Sequence, residues 1–102
     1  MVIDKILMKI YWTPAAKNSY QEVLEYLLQN WTQKEIDKLI MRTEKVLSLL
    51  VKNPTLYPLI HSQIHKCVLS KHNSLFYKIE NDQIIIIACW DNRKDPEKLR
   101  IQ

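Results

Sequence analysis

Not one glycine occurs among the 102 residues, where average usage near 7% would place about seven. That absence excludes the glycine-rich loops that cradle nucleotide phosphates. It also hands the tight turns to asparagine and aspartate, which tolerate left-handed backbone better than other residues with a Cβ. Asn30, Asn53, Asn73, Asn81, Asp82 and Asn92 stand where turns are wanted. Only two cysteines occur, Cys67 and Cys89, too few for a disulfide framework, so they are expected to be reduced thiols packed as small core residues. No apolar run reaches the ~18 residues that span a bilayer. Asp4 and Lys9 interrupt the opening stretch, which therefore makes a poor secretory leader. A cytoplasmic chain without a membrane role is expected.

What is present is an ordinary globular composition, 47% apolar and 25% charged, which excludes a disordered or low-complexity chain. Residues 1–102 are long enough for one domain with one modest core. The net charge of +4 and a pI near 9.1 favour acidic partners, a nucleic acid or an acidic protein.

Hydrophobic periodicity orders the chain. In residues 3–12, Ile6, Met8, Ile10 and Trp12 share one parity and Lys5 and Lys9 the other, the alternation of a strand. Thr13 followed by Pro14 is an N-cap and a first helical residue. Ala16, Tyr20, Val23, Leu24, Leu27, Leu28 and Trp31 then recur at helical spacing. After Asn30 the stretch TQKE restarts a helix, with Thr32 as cap and Glu35 as capping-box partner, so Thr32→Ala is expected to cost about 1 kcal/mol. The second stripe is Ile36, Leu39, Ile40, Val46, Leu47 and Leu50, stopped before Pro54. Residues 55–65 read as a connecting loop. Three β-rich runs follow, HKCVLS, SLFYKIE and QIIIIACW, the last two joined by Asn81 and Asp82 in a primed hairpin turn. Ile84 to Ile87 do not alternate, so that strand is expected inside the sheet and covered on both faces. The expected class is α+β, in the order β-α-α-β-β-β, an antiparallel helical hairpin on one face of a small, mainly antiparallel sheet. The other sheet face is left for solvent or a partner.

Few constellations carry chemistry. His61, His65 and Cys67 lack the spacing of a four-ligand metal site, and Glu22, Glu25, Asp37 and Glu44 fall on polar helix faces, so neither a metal nor a cofactor is expected. A basic set remains, Lys66, Lys71, His72, Lys78, Arg93, Lys94, Lys98 and Arg100. With Phe76, Tyr77 and Trp90 nearby it could meet phosphates and bases; equally, lysines stud strand edges to prevent aggregation. Tyr77 shares parity with Leu75 and Ile79 and reads as core. The segment WDNRKDP leaves the most apolar strand, and a rigid strand is a good platform for a working loop. Trp90, Asp91, Arg93 and Lys94, with Lys66 and Lys71, are the candidate target-binding residues. Under the alternative, Asp91 and Asn92 only make a turn, Arg93 pairs with an acidic neighbour, and Asp95 with Pro96 starts a short helix.

The stretches TPAAKNSYQEVLEYLLQNW, LLVKNP and SKHNSLFYKIENDQIIIIACWDNRKDP together resemble the RelE/ParE superfamily of toxins from bacterial toxin-antitoxin pairs. The resemblance covers nearly the whole chain. It implies a cytoplasmic toxin neutralised by a cognate antitoxin, whose other end binds operator DNA and whose wrapping segment would cover the open sheet face. Two activities divide the superfamily, poisoning of DNA gyrase in ParE-like members and ribosome-dependent cleavage of messenger RNA in RelE-like members. Nuclease members carry an arginine before the strand motif, where this chain has Ser74, and a histidine or tyrosine pair near the carboxyl end, where it has Asp91 and Asn92. These departures favour a ParE-like binding module that breaks no bond. An endoribonuclease using His65, His72 or Tyr77 with Lys66, Lys71 and Arg93 is the first alternative. A decayed toxin that retains only antitoxin binding is the second.

Overall fold

Met8, Ile10 and Trp12 alternate with Lys9 and Tyr11 to give the first strand, β1 (Lys9–Trp12), whose even positions pack on the core. The computed structural model describes residues 8–92, so the calls on Ile6 and Lys5, and on Arg93 onward, lie outside the described residues. Thr13 and Pro14 begin α1 (Pro14–Asn30) as expected: the threonine hydroxyl accepts from Ala16 N at 3.0 Å, and Pro14 has no N–H to leave unsatisfied. Two residues separate it from α2 (Gln33–Leu50). The remaining elements are β2 (Leu59–His61), β3 (Ile64–Val68), β4 (Asn73–Glu80) and β5 (Gln83–Asp91).

The strands form one sheet in the order β1-β5-β4-β3-β2, with β1 parallel to β5 and the other neighbours antiparallel. The expected α+β class, with a helical hairpin on a mainly antiparallel sheet, is thus what the chain adopts. The isoleucine strand lies inside the sheet, as expected. Ile84 and Ile86 are completely buried on the helix side, while Ile85 and Ile87 are half-buried. Burial therefore alternates along the run, and the expected cover on both faces is corrected to full cover on the helix side and partial cover on the other. Tyr77 pairs Ile86 and Phe76 pairs Ala88, so Ile87 is an extra residue, and the register shift returns Cys89 to the helix side.

The expected loop over residues 55–65 is corrected by an additional edge strand. Pro58 precedes β2, so its missing N–H interrupts no ladder, and its carbonyl accepts from Lys66 N at 3.0 Å. Ser62 takes the turn at φ 49°, a position where glycine would be at ease. Asn81 does the same at φ 54° in the β4–β5 turn. Among the described residues these two alone have positive φ, so the other turn asparagines act without left-handed backbone.

Two further expectations are corrected. Thr32 makes no side-chain cap; its hydroxyl instead lies 3.4 Å from the Glu35 carboxylate, a weak contact in solvent. The stripe of α1 also ends at Leu27, leaving Leu28 and Trp31 64% and 58% exposed, because the last turn extends past the core cluster. In α2, Thr43 occupies a core position between Leu39 and Val46. Its hydroxyl donates to Leu39 O at 2.7 Å and accepts from Tyr20 Oη at 3.0 Å, which satisfies both groups where the helices meet.

The sheet face turned from the helices is less open than expected. Phe76, Ile64 and Ala88 are buried there, with Ile87 and Trp90 packed on them, and the Phe76 and Trp90 rings are 6.1 Å apart. Phe76 and Tyr77 are both fully buried, so neither offers a ring face for stacking on bases.

Candidate functional site

The start of α1 is tied to β5. Thr13 N donates to Ile86 O at 3.1 Å, and its hydroxyl lies 3.1 and 3.3 Å from Ile86 O and Ile87 O. Ser19 Oγ accepts from Cys89 N at 2.9 Å and donates to Ala16 O, which supplies the partner that the shifted strand lacks there. Beyond these ties α1 forms one wall of an open groove of about 1210 Å³, with α2 beside it and the β3–β4 turn and the end of β5 opposite. The floor is apolar, with Leu39, Leu69 and Cys89. The helix side carries Tyr26, Trp31, Lys38 and Arg42, and the turn side Lys71, His72, Trp90 and Asp91. Small-molecule pockets are about 300–1,000 Å³ and enclosed, so this groove suits a segment of a macromolecule.

Of the residues singled out in the sequence, Trp90, Asp91 and Lys71 meet in this groove. Lys66 does not: it stands opposite Phe76 on the sheet face turned from the helices. Arg93 and Lys94 lie outside the described residues. Lys78 pairs with Glu80 at 2.8 Å. The helix wall went unread in the sequence. Its signal was Tyr26, an aromatic residue off the apolar stripe of α1 and 52% exposed.

A hairpin latch closes the turn side. Ser70 Oγ accepts from the backbone N–H of His72 and Asn73, at 3.3 and 3.2 Å. Asn92 N donates to His72 O at 2.7 Å, and the fully buried Ser74 hydroxyl donates to Asn92 Oδ1 at 2.6 Å. Asn92 Nδ2 adds longer bonds to Ser70 O and Lys71 O, at 3.4 and 3.3 Å.

The candidate proton carriers have structural partners. Tyr77 Oη donates to Pro54 O at 2.8 Å, and burial pushes its pKa up to about 12. His65 is buried, lies flat on the Tyr77 ring at 4.8 Å, and uses Nδ1 to donate to Tyr57 O at 2.7 Å. Cys67 and Cys89 are buried free thiols pushed up by burial to about 11 and about 12, the protonated and unreactive state. His72 is the exposed histidine of the groove. No group of three or more His, Cys, Asp or Glu among the described residues could hold a metal ion. No helix among them is long and apolar enough to cross a membrane.

Comparison with known proteins places this geometry. The sequence profile described as "ParE toxin of type II toxin-antitoxin system, parDE" matches residues 10–96. The search of curated proteins finds no match. Among solved structures, the chromosomal ParDE system from P. aeruginosa superposes with a TM-score of 0.70 at 12% identity, over 85% of this chain and 98% of that one. A YoeB/ParE toxin from Agrobacterium tumefaciens gives 0.62 at 12%, over 83% and 99%. The E. coli DinJ-YafQ toxin-antitoxin complex gives 0.60 at 11%, over 86% and 96%. At these identities the likeness is one of fold.

Proposed function

The chain belongs to the ParE toxin family of type II toxin-antitoxin systems, and from that premise we propose that it arrests growth by poisoning DNA gyrase and is neutralised by a cognate antitoxin. The observation that carries the choice of target is the fate of Tyr77 and His65. Cleavage of RNA by its own 2′-OH needs a group free to take a proton, beside cations that stabilise the charge growing on phosphate. Tyr77 and His65 are instead locked to carbonyl oxygens in the core. What the groove offers is charged and aromatic contact, Lys71, Lys38 and Arg42 beside Glu22, Glu35 and Asp91, with Tyr26 and Trp31, the equipment of a binding module. Arg93 and Lys94 extend this surface in the proposal, and the DinJ-YafQ toxin-antitoxin complex supports a protein partner.

His72 supports the second reading, an endoribonuclease acting on messenger RNA at the ribosome. It is an exposed imidazole beside Lys71, and structures of YoeB and YafQ share the fold. Purified protein in a gyrase supercoiling assay and in a cell-free translation extract separates the two. Inhibited supercoiling with intact translation is expected. The reverse result overturns gyrase as the target, and no effect in either assay, with antitoxin binding retained, identifies a decayed toxin. Arg93→Ala is expected to abolish arrest while antitoxin affinity and thermal midpoint stay nearly unchanged. Full toxicity of the folded variant removes Arg93 from the target surface.

A further inference from the structure

We infer that Asn92 is a positioning residue that holds the β3–β4 turn so that Lys71 and His72 face the groove in one fixed arrangement. The inference rests on the reading of the chain as an active toxin, but not on which target it has. A four-residue turn between two strands, exposed at Ser70, Lys71 and His72, would ordinarily be among the most mobile parts of a small domain. Here it is closed from inside by the Ser70 hydroxyl, which takes the His72 and Asn73 N–H groups, and from outside by Asn92.

The outer contact is the more specific. Asn92 uses its backbone N–H on His72 O, its amide nitrogen on Ser70 O and Lys71 O, and its amide oxygen on the Ser74 hydroxyl. An asparagine side chain offers an acceptor and donors, and here the acceptor is anchored on β4 at Ser74 while the amide nitrogen reaches the turn at Ser70 and Lys71. The anchor is rigid, because Ser74 is completely buried within β4 and its hydroxyl makes a short bond to Asn92. Aspartate would keep the bond from Ser74 and lose the donors. It would also set a negative charge against the Ser70 and Lys71 carbonyls, so it separates holding the turn from filling the space. Lys71 and His72 carry the groove's chemistry on this side, and Asn92 acts through them.

A double-mutant cycle tests this with the full chain. Growth arrest is measured as the inducer concentration for half-arrest at matched protein level, beside antitoxin affinity by calorimetry and amide hydrogen exchange of residues 70–73. Asn92→Asp is expected to raise the half-arrest concentration on the order of tenfold, the scale of coupling between contacting groups. Exchange in the turn should speed up while β4 and β5 stay protected. In a Lys71→Ala, His72→Ala background, the same Asn92→Asp change is expected to add nothing. Additive losses overturn the inference, because Asn92 would then act by another route. Unchanged arrest in Asn92→Asp overturns it too, as does a uniform loss of protection across the sheet, which marks a general folding role. Should Asn92→Asp fail to fold, Ser74→Ala removes the anchor alone and must show the same lack of additivity. Absence of arrest by the natural chain overturns both this inference and the toxin reading, whereas arrest without gyrase inhibition overturns only the choice of target.

Discussion

Thr13 joins α1 to β5 with one side chain and one amide. It caps α1 through Ala16 N and ties that helix to β5 through Ile86 O and Ile87 O. Thr13→Ala should therefore cost about 1–2 kcal/mol, the upper range for lost caps, as a lowered denaturation midpoint at constant slope. Thr32, in the equivalent place before α2, makes no cap bond, and Thr32→Ala should cost no more than about 0.5 kcal/mol, as exposed substitutions do. Equal costs for the two would contradict the geometry of both caps. The buried thiols give a pH dependence. Cys67 moves from its ordinary 9.0 to about 11 and Cys89 to about 12. Between the unfolded and folded values the unfolded chain has released its protons and the folded chain has not, so rising pH favours unfolding. The thiol contribution to stability is complete below pH 9 and is lost as pH rises through 11 and 12. A denaturation midpoint that holds steady to pH 12 would contradict this, and Cys89→Ala should flatten the decline.

β5 has two unequal faces because it lies between β1 and β4 with the helices on one side only. Ile86→Ala should cost about 2–5 kcal/mol, the range for emptying a sealed core position. Ile85, half-buried opposite Lys78, should cost about 1 kcal/mol, and chemical denaturation of the two variants side by side measures the contrast. The elements with strong periodicity or strong punctuation were legible in the sequence. Thr13-Pro14 opened α1, and four isoleucines named the inner strand. β2 was not legible, since three exposed residues after a proline carry no alternation and draw their register from β3. Thr43 was passed over as polar, because its hydroxyl is satisfied by a carbonyl one turn back, which a stripe of apolar letters does not encode. That Trp90 and Asp91 stand at the end of β5 was legible because that strand was, and Lys71 meets them at the groove through the neighbouring β3–β4 turn. Lys66 stands on the opposite sheet face from the groove, since one-residue parity decides which face a strand side chain takes. The helix wall with Lys38 and Arg42 was invisible for another reason: it joins the groove only through tertiary packing.

At the scale of the whole molecule, the helical hairpin depends on the sheet. Ile36, Leu39, Val46 and Leu50 are buried, the last three in one cluster with Ala16 of α1 and Leu75, Ile84 and Ile86 of the sheet, and Tyr20 and Thr43 add a hydrogen bond between the helices. A peptide of residues 13–52 should thus show little helix by circular dichroism and no cooperative melting, since helices of this length owe most of their stability to packing. A sharp thermal transition in that peptide would contradict the dependence. Thr13 and Ile86, bonded in the fold, are 73 residues apart in sequence, and contacts of such separation slow folding. On the ribosome the order of synthesis then matters. A nascent chain emerges from its amino end, and the strand that β1, β4 and α1 all require is the last of the described elements to be made. Until it emerges, the groove lacks Cys89 from its floor and the latch has no Asn92. The toxin surface is therefore assembled late, after most of the chain has left the ribosome, and a waiting antitoxin can meet it in the moment it first exists.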